Sequence, residues 1–198
     1  MEIAKGINAT EYINLNLKDY SNSDWDYAIS ILDKRLTDRY LEPVEILIDA
    51  EKNKPLSEKK FGFTVLAIDC LIVETLQSFY EGVTDSTGLS KKLFRNFLRQ
   101  RINFKTFFTN DADADYFFSN YRCGILHQAQ TFNNSKVWTV GQLIVKQGDG
   151  FIVNRDLFHK AIKNEKDIYI NLLYQKSDTA ILDKFKTKMD FISKLQSS

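Results

Sequence analysis

The chain has 198 residues, of which 43% are hydrophobic, and its 27 Lys and Arg residues nearly balance 26 Asp and Glu residues. This length and apolar content suffice for one sizeable core, and no Pro- or Ser-rich linker divides the chain, so we predict a single domain over residues 1–198. The formal net charge of +1 excludes a global positive field that would attract nucleic acid or membranes. Any such binding must come from a local patch.

The two cysteines, Cys70 and Cys123, lie in apolar helical runs, where free thiols behave as small hydrophobes. This pattern favours a reducing, cytoplasmic location. The N-terminus lacks the basic and apolar regions of a secretory signal. We also expect no apolar run of membrane-spanning length and no membrane partner.

Residues 1–22 are polar and weakly patterned, which indicates an N-terminal extension. Ser23, followed three residues later by Asp26, predicts a helix N-cap. The next apolar residues recur at steps of three and four, which predicts an amphipathic helix, and Pro43 should kink it or start a second segment. The apolar stripe consists of Trp25, Ile29, Leu32, Leu36 and Tyr40.

The segment from Phe61 to Tyr80 is apolar almost all the way round, which predicts a central, mostly buried helix. Asp69, Glu74 and Gln77 are its exceptions. A charge inside such a segment must be paired, face a cleft, or cost on the order of several kcal/mol in desolvation.

A short helix capped by Ser90 should follow, with apolar side chains on one face and cations on the other. The basic face is a candidate for contacts with an RNA backbone, although a solvated surface is the commoner role of such a stripe. Its candidate RNA-binding residues are Lys91, Lys92, Arg95 and Arg99.

After His127 the apolar period changes from helical to alternating, which predicts a small β-hairpin or three-stranded meander inserted at about residues 136–154. Two helices should follow, at about residues 156–174 and 178–195, with Leu157 on the inner side of the first and His159 on its surface. The predicted fold class is mainly α, a helical bundle with a β insertion.

Arg122 and His127 bracket Gly124 at the end of a Phe- and Tyr-rich stretch. A permanent cation beside an imidazole is the minimum equipment for proton transfer next to a phosphate. A regular α-helix would point residues five apart about 140° away from each other. We therefore predict that Gly124 ends or kinks the helix so that both side chains reach one cleft. The alternative is a surface arginine at a helix C-terminus and a hydrogen-bonded histidine in a linker.

Two segments together, Tyr121–Gln130 and Gly62–Gly82, resemble the HEPN superfamily, whose motif is Arg-x4-6-His. Its members are all-helical and include toxin, antiphage and CRISPR-associated ribonucleases. The chain is also similar to bacterial plasmid- or defence-associated HEPN-like proteins, and the likeness spans about residues 23–195.

This resemblance implies a HEPN-like bundle that acts as a metal-independent endoribonuclease, possessing no cofactor and no metal site. Arg122 and His127 would be catalytic, and Glu74 would orient one of them or be an ion-pair partner within the bundle. The partners implied are RNA in single-stranded or loop regions, a second copy in a homodimer, and a cognate inhibitor protein if the chain is a toxin or antiphage effector.

Asn120 and Gln128 flank the motif and are candidates for RNA contacts or for helix capping. Cys123 follows the motif arginine, where active members of the superfamily usually carry Asn, Asp or His. This difference favours an alternative, a non-catalytic HEPN module that binds RNA, nucleotide or a partner protein. A purely structural role in an assembly is a third hypothesis.

Overall fold

The computed structural model describes residues 2–197, and the side chains of residues 2–195. This range is mainly helical with two small β-sheets, in agreement with the predicted fold class. Its core is a continuous cluster of buried apolar side chains drawn from both ends of the chain and from the β insertion.

The first residues form secondary structure and pack into the core, unlike the polar extension that the sequence predicts. Strands β1 (Glu2–Ala4) and β2 (Ile7–Asn8) form an antiparallel hairpin, which helix α1 (Ala9–Ile13) follows directly. Ile3 and Tyr12 are buried in the core. Elements of two to five residues are too short to show a hydrophobic period, which is why the sequence pattern misses them.

Helix α2 (Asp24–Leu36) passes through a π-helical turn (Thr37–Leu41) into α3 (Glu42–Ala50), whose first turn contains Pro43. Pro43 therefore starts a second segment, one of the two predicted outcomes. Ser23 occupies the N-cap position of α2, as predicted, but its side chain makes no capping hydrogen bond. Asn22 supplies one instead, since its Oδ1 accepts from the backbone N–H of Asp24 at 2.9 Å.

Helix α4 (Gly62–Glu81) is the central helix that the sequence predicts, and it packs against α3, α5, α8 and α9. A 3-10 turn (Leu56–Glu58) precedes it, and Gly82 ends it in the left-handed conformation. Among the described residues, α4 is the one helix long and apolar enough to cross a membrane, contrary to the expectation that no run has that length. However, 56% of its most apolar window is buried inside the protein, as in a core helix.

Helices α5 (Ser90–Gln100) and α6 (Asp111–Phe117) continue through a π-helical turn (Phe118–Cys123) into α7 (Gly124–Gln128). Ser90 is the first residue of α5 rather than its cap, which is Leu89. The phenylalanines of this region form a buried aromatic cluster around Phe117, whose ring stacks on that of Phe158 at 5.8 Å. Each such buried ring contributes roughly 1.5–3 kcal/mol by leaving water.

Strands β3 (Lys136–Trp138), β4 (Ile144–Gln147) and β5 (Gly150–Asn154) form a sheet in the order β3-β5-β4. The β4-β5 hairpin is antiparallel, as predicted, but β3 pairs with β5 in parallel, so the meander is wrong. β5 lies at the centre of the sheet, and its side chains are more buried than those of β4 at the edge.

The predicted C-terminal pair is confirmed as α8 (Arg155–Gln175) and α9 (Thr179–Ser197). Asn154 caps α8 by accepting from the backbone N–H groups of Asp156 and Leu157. The assigned inner face of α8 is partly wrong, because Leu157 is 39% exposed whereas His159 is buried.

Candidate functional site

The motif lies on one continuous helical segment in which the backbone changes type. The π-helical turn ends at Cys123, and Gly124 opens α7 with ordinary helical angles, φ −58° and ψ −51°. The prediction that Gly124 ends or kinks the helix is therefore wrong. The helix ends later, at Ala129, which adopts a left-handed conformation with φ 55°.

Gly124 has a different purpose, which is to let the returning chain pass close to the helix. A Cβ at this position would lie 2.5 Å from the carbonyl oxygen of Gln130. The backbone N–H of Gln130 in turn donates to the carbonyl of Gly124 at 3.3 Å. No residue larger than glycine fits this contact without moving backbone.

Arg122 and His127 meet at the surface, with Arg122 Nη1 at 3.4 Å from His127 Nε2. The π-helical turn ends one residue after Arg122, so most of the span is ordinary α-helix, and the length of the Arg122 side chain bridges it. A guanidinium only donates, so this contact is a hydrogen bond when Nε2 of His127 is the accepting nitrogen. The imidazole lies at an exposed position.

Glu74 fixes the guanidinium from the opposite side. Its Oε1 accepts from Arg122 Nε at 2.6 Å and its Oε2 from Nη2 at 3.4 Å. Burial would lower the pKa of Arg122, but the hydrogen bond and charge of Glu74 outweigh it and raise that pKa. The ring of Phe118 supports the same guanidinium at 5.5 Å. Nη1 is left to face His127.

A groove of about 600 Å³ runs from Arg122 and Glu74 across α2, α4 and α9. Its lining combines apolar side chains with hydroxyl groups from the loop after α4 and the start of α5. Two further cations, Arg35 and Lys188, line it. Sequence reasoning missed both, because they lie far apart along the chain and no local motif links them. The apolar and hydroxyl-bearing residues include Tyr40, Leu71, Leu126, Phe191, Thr84, Ser86, Thr87 and Ser90.

The flanking amides occupy different environments. Asn120 is only 4% exposed, donates to the carbonyl of Tyr116 at 2.8 Å and accepts from Asn133 Nδ2 at 2.8 Å. Its contacts hold the helix to the following loop, and its role in RNA binding stays a prediction. Gln128 is exposed in the last turn of α7, beside His127.

The basic face of α5 packs against the acidic start of α6. Arg95 binds Asp115 at 2.6 Å, Lys91 reaches the same carboxylate at 3.2 Å, and Arg99 binds Asp111 at 3.1 Å. Lys92 is exposed. Three of the four predicted RNA-binding cations are therefore neutralised within the chain, and their role in RNA binding stays a prediction.

His159 corrects the prediction of a surface histidine. It is 3% exposed, and its Nδ1 lies 2.8 Å from Oδ1 of the fully buried Asp69. Burial raises the pKa of Asp69 to about 6, although His159 opposes that rise. The position of His159 three residues before the buried Ile162 is the signal that could have revealed it.

No group of three or more His, Cys, Asp or Glu side chains within residues 2–195 lies close enough together to hold a metal ion. The thiols of Cys70 and Cys123 are free, and burial raises the pKa of Cys70 well above its usual value. The chain matches none of the family models, curated proteins or solved structures with which it was compared, so its function must be argued from this geometry.

Proposed function

We propose that this protein is a metal-independent endoribonuclease of HEPN type that cuts RNA with Arg122 and His127. The observation that carries the proposal is the contact of 3.4 Å between Arg122 Nη1 and His127 Nε2 at an exposed position. It puts a proton acceptor and a phosphate-binding cation within reach of one phosphodiester.

In the proposed reaction, His127 Nε2 takes the proton of a ribose 2′-OH, and the 2′ oxygen attacks the adjacent phosphorus. The bond from phosphorus to the 5′ oxygen breaks, and the imidazolium returns a proton to that leaving oxygen. The products are a 2′,3′-cyclic phosphate and a 5′-hydroxyl end. Arg122 holds the phosphoryl oxygens while their negative charge grows.

Glu74 acts as a positioning residue in this scheme. Its two contacts hold Nε and Nη2 of Arg122, so that only Nη1 turns toward His127 and the substrate. The substrate hydroxyl must displace Nη1 from Nε2, and Glu74 keeps the guanidinium nearby when this happens. Orientation of this kind lowers the barrier by fixing the geometry in advance.

The resemblance further suggests a homodimer, in which two Arg122-His127 pairs line one groove. Leu126 is 46% exposed and lies next to His127, which suits an apolar contact between two copies. A toxin or antiphage effector in the cytoplasm, restrained by a cognate inhibitor protein, is the corresponding biological role.

The test is incubation of the purified protein with mixed RNA in EDTA, beside His127→Ala and Arg122→Ala. Ser119→Ala is a matched control, since Ser119 is exposed on the same helical segment and outside the pair. We expect cleavage by the parent and the control, and a loss of at least about a hundredfold in both motif variants, the order that proton transfer by His127 and charge stabilisation by Arg122 each contribute. Undiminished cleavage by His127→Ala would contradict the proposal.

The second candidate is a non-catalytic module that binds RNA, nucleotide or a partner protein. Two observations favour it, namely Cys123 after the motif arginine and the neutralisation of Arg122 by Glu74. In that case Arg122→Ala should weaken binding while no protein, parent or variant, yields RNA products.

A further inference from the structure

The groove beside Arg122 contains two half-buried cations that no carboxylate of the described residues neutralises. Arg35 Nη1 donates to the carbonyl oxygen of Ile3 at 2.5 Å, and Lys188 Nζ donates to the carbonyl oxygen of Thr84 at 2.7 Å. A carbonyl satisfies one hydrogen bond but carries no charge, so each side chain retains its full charge and unused N–H donors.

Their surroundings disfavour that charge. Burial lowers the pKa of Arg35, and the neighbouring Arg39 lowers it further. Burial also lowers the pKa of Lys188, which the negative charge of Asp85 offsets only in part. Cations that are half removed from water without a counter-ion favour an anionic ligand, because the ligand supplies the missing charge.

The carboxylates in the groove do not fill this need. Glu74 is bound by Arg122, and Asp85 is exposed and accepts from the backbone and hydroxyl of Thr87 at 2.9 and 2.7 Å. Lys188 Nζ also lies over the ring of Phe191, at 5.8 Å from its centroid, so a base would pack on the other apolar side chains of the groove, such as Leu71 and Leu126. Cations, hydroxyl groups and apolar side chains together match a nucleotide.

We propose that this groove holds the RNA strand beside the cleaved linkage, with a neighbouring phosphate bound by Lys188 and Arg35. The inference rests on the proposed function, which supplies the RNA, and it adds the path of the strand from Arg122 toward α9. The phosphate contacts then come from α2 and α9, and the basic face of α5 has no part in them.

The experiment measures RNA binding by the full-length His127→Ala protein, which leaves the strand intact. Fluorescence anisotropy compares a short labelled RNA with copies that each carry one neutral methylphosphonate linkage. We expect one linkage next to the cut to weaken binding about tenfold, the order of one charge-assisted hydrogen bond. When the protein also carries Lys188→Gln, the methylphosphonate at that linkage should no longer weaken binding.

Lys184→Gln is the matched control, since it removes the same charge from an exposed position of α9 outside the groove. It should leave the response to the methylphosphonate unchanged. Lys188→Gln should also reduce the slope of log affinity against log salt by about 0.7, the value for one lost contact to a single strand. Arg35→Gln should likewise reduce the response to the methylphosphonate. A melting curve of this variant checks that it is folded, because Arg35 also binds the carbonyl oxygen of Ile3 in β1.

If Lys188→Gln retains the tenfold response, or if Lys184→Gln abolishes it equally, the inference is wrong. The outcome is separable from that of the proposed function. If Lys188 responds to one linkage but the parent does not cleave RNA, the groove binds RNA and the proposed nuclease activity is wrong. If the parent cleaves RNA but Lys188 responds to no linkage, the nuclease proposal stands and the RNA path through the groove is wrong.

Discussion

Arg122 Nη1 lies 3.4 Å from His127 Nε2 although the two residues are five positions apart on one helical segment. The reach of the arginine side chain brings them together along the ordinary α-helix of α7, and Glu74 holds the guanidinium in that place.

Glu74→Gln should lower kcat for RNA cleavage by about tenfold with little change in KM, because a neutral amide holds the guanidinium less firmly at the transition state. Asp85→Asn is the control, since it removes one charge from the same groove without touching Arg122. Steady-state kinetics on a defined RNA separate the two parameters. A fall in thermal stability with unchanged kcat would show that Glu74 is only a bundle ion pair.

Gly124→Ala should destabilise the protein by about 1–3 kcal/mol, the usual cost of forcing an atom into a packed site. The added Cβ would lie 2.5 Å from the Gln130 carbonyl oxygen, which is backbone and cannot rotate away. Urea denaturation measures the change, with Ser119→Ala expected to shift the midpoint far less. Equal midpoints for the parent and Gly124→Ala would refute the close approach.

Asp69 should make the free energy of unfolding depend on pH in the direction opposite to a carboxylate whose pKa is lowered by folding. Its folded-state pKa of about 6 lies above the ordinary value of 3.8, so the folded protein binds this proton more tightly than the unfolded chain. The stability contributed by Asp69 is therefore greatest below pH 4 and declines as the pH rises to about 6. The total decline is about 3 kcal/mol at 1.36 kcal/mol per pKa unit.

Asp69→Asn isolates this effect, because the amide keeps the shape of the side chain and can still accept from His159. The difference in unfolding free energy between parent and variant, measured by urea denaturation at pH 4 to 7, should change by that amount. A difference independent of pH would mean that Asp69 titrates normally in the folded protein.

Arg95→Gln should leave the midpoint of urea denaturation close to that of the parent, because the pairs of Arg95 with Asp111 and Asp115 are partly exposed and screened by water. RNA affinity should change less than twofold, since this guanidinium is already occupied. Binding of a labelled RNA by the His127→Ala protein, with and without Arg95→Gln, provides the measurement. A large loss of affinity and of salt dependence would instead restore the α5 face as the RNA surface.

Patterns confined to one element predicted the larger part of the fold. The apolar period identifies α4, α8 and α9, and alternation identifies the β4-β5 hairpin. The same local reading fails where a feature depends on residues distant in sequence. β3 pairs in parallel with β5, a strand that follows it by more than ten residues, and the capping hydrogen bond at the start of α2 comes from the side chain of Asn22 although Ser23 holds the N-cap position.

The candidate site was likewise predictable only in its local features. The proximity of Arg122 to His127 agrees with the prediction, but nothing in the sequence indicates that Glu74 holds the guanidinium from the other side or that Gln130 approaches Gly124. The neutralisation of Arg95 by Asp115 and the pairing of His159 with Asp69 join residues on different helices. Such pairs become visible only when the helices are placed in space.

The most direct test of the central claim is the chemistry of the ends produced from a short RNA in EDTA. The parent protein should leave a 2′,3′-cyclic phosphate and a 5′-hydroxyl, identified by mass spectrometry, and a single 2′-deoxy substitution at the cleaved nucleotide should abolish the cut there. His127→Ala should give neither product. Cleavage that persists at the 2′-deoxy position, or that His127→Ala performs at the parental rate, would contradict the assignment of Arg122 and His127 as the reacting pair.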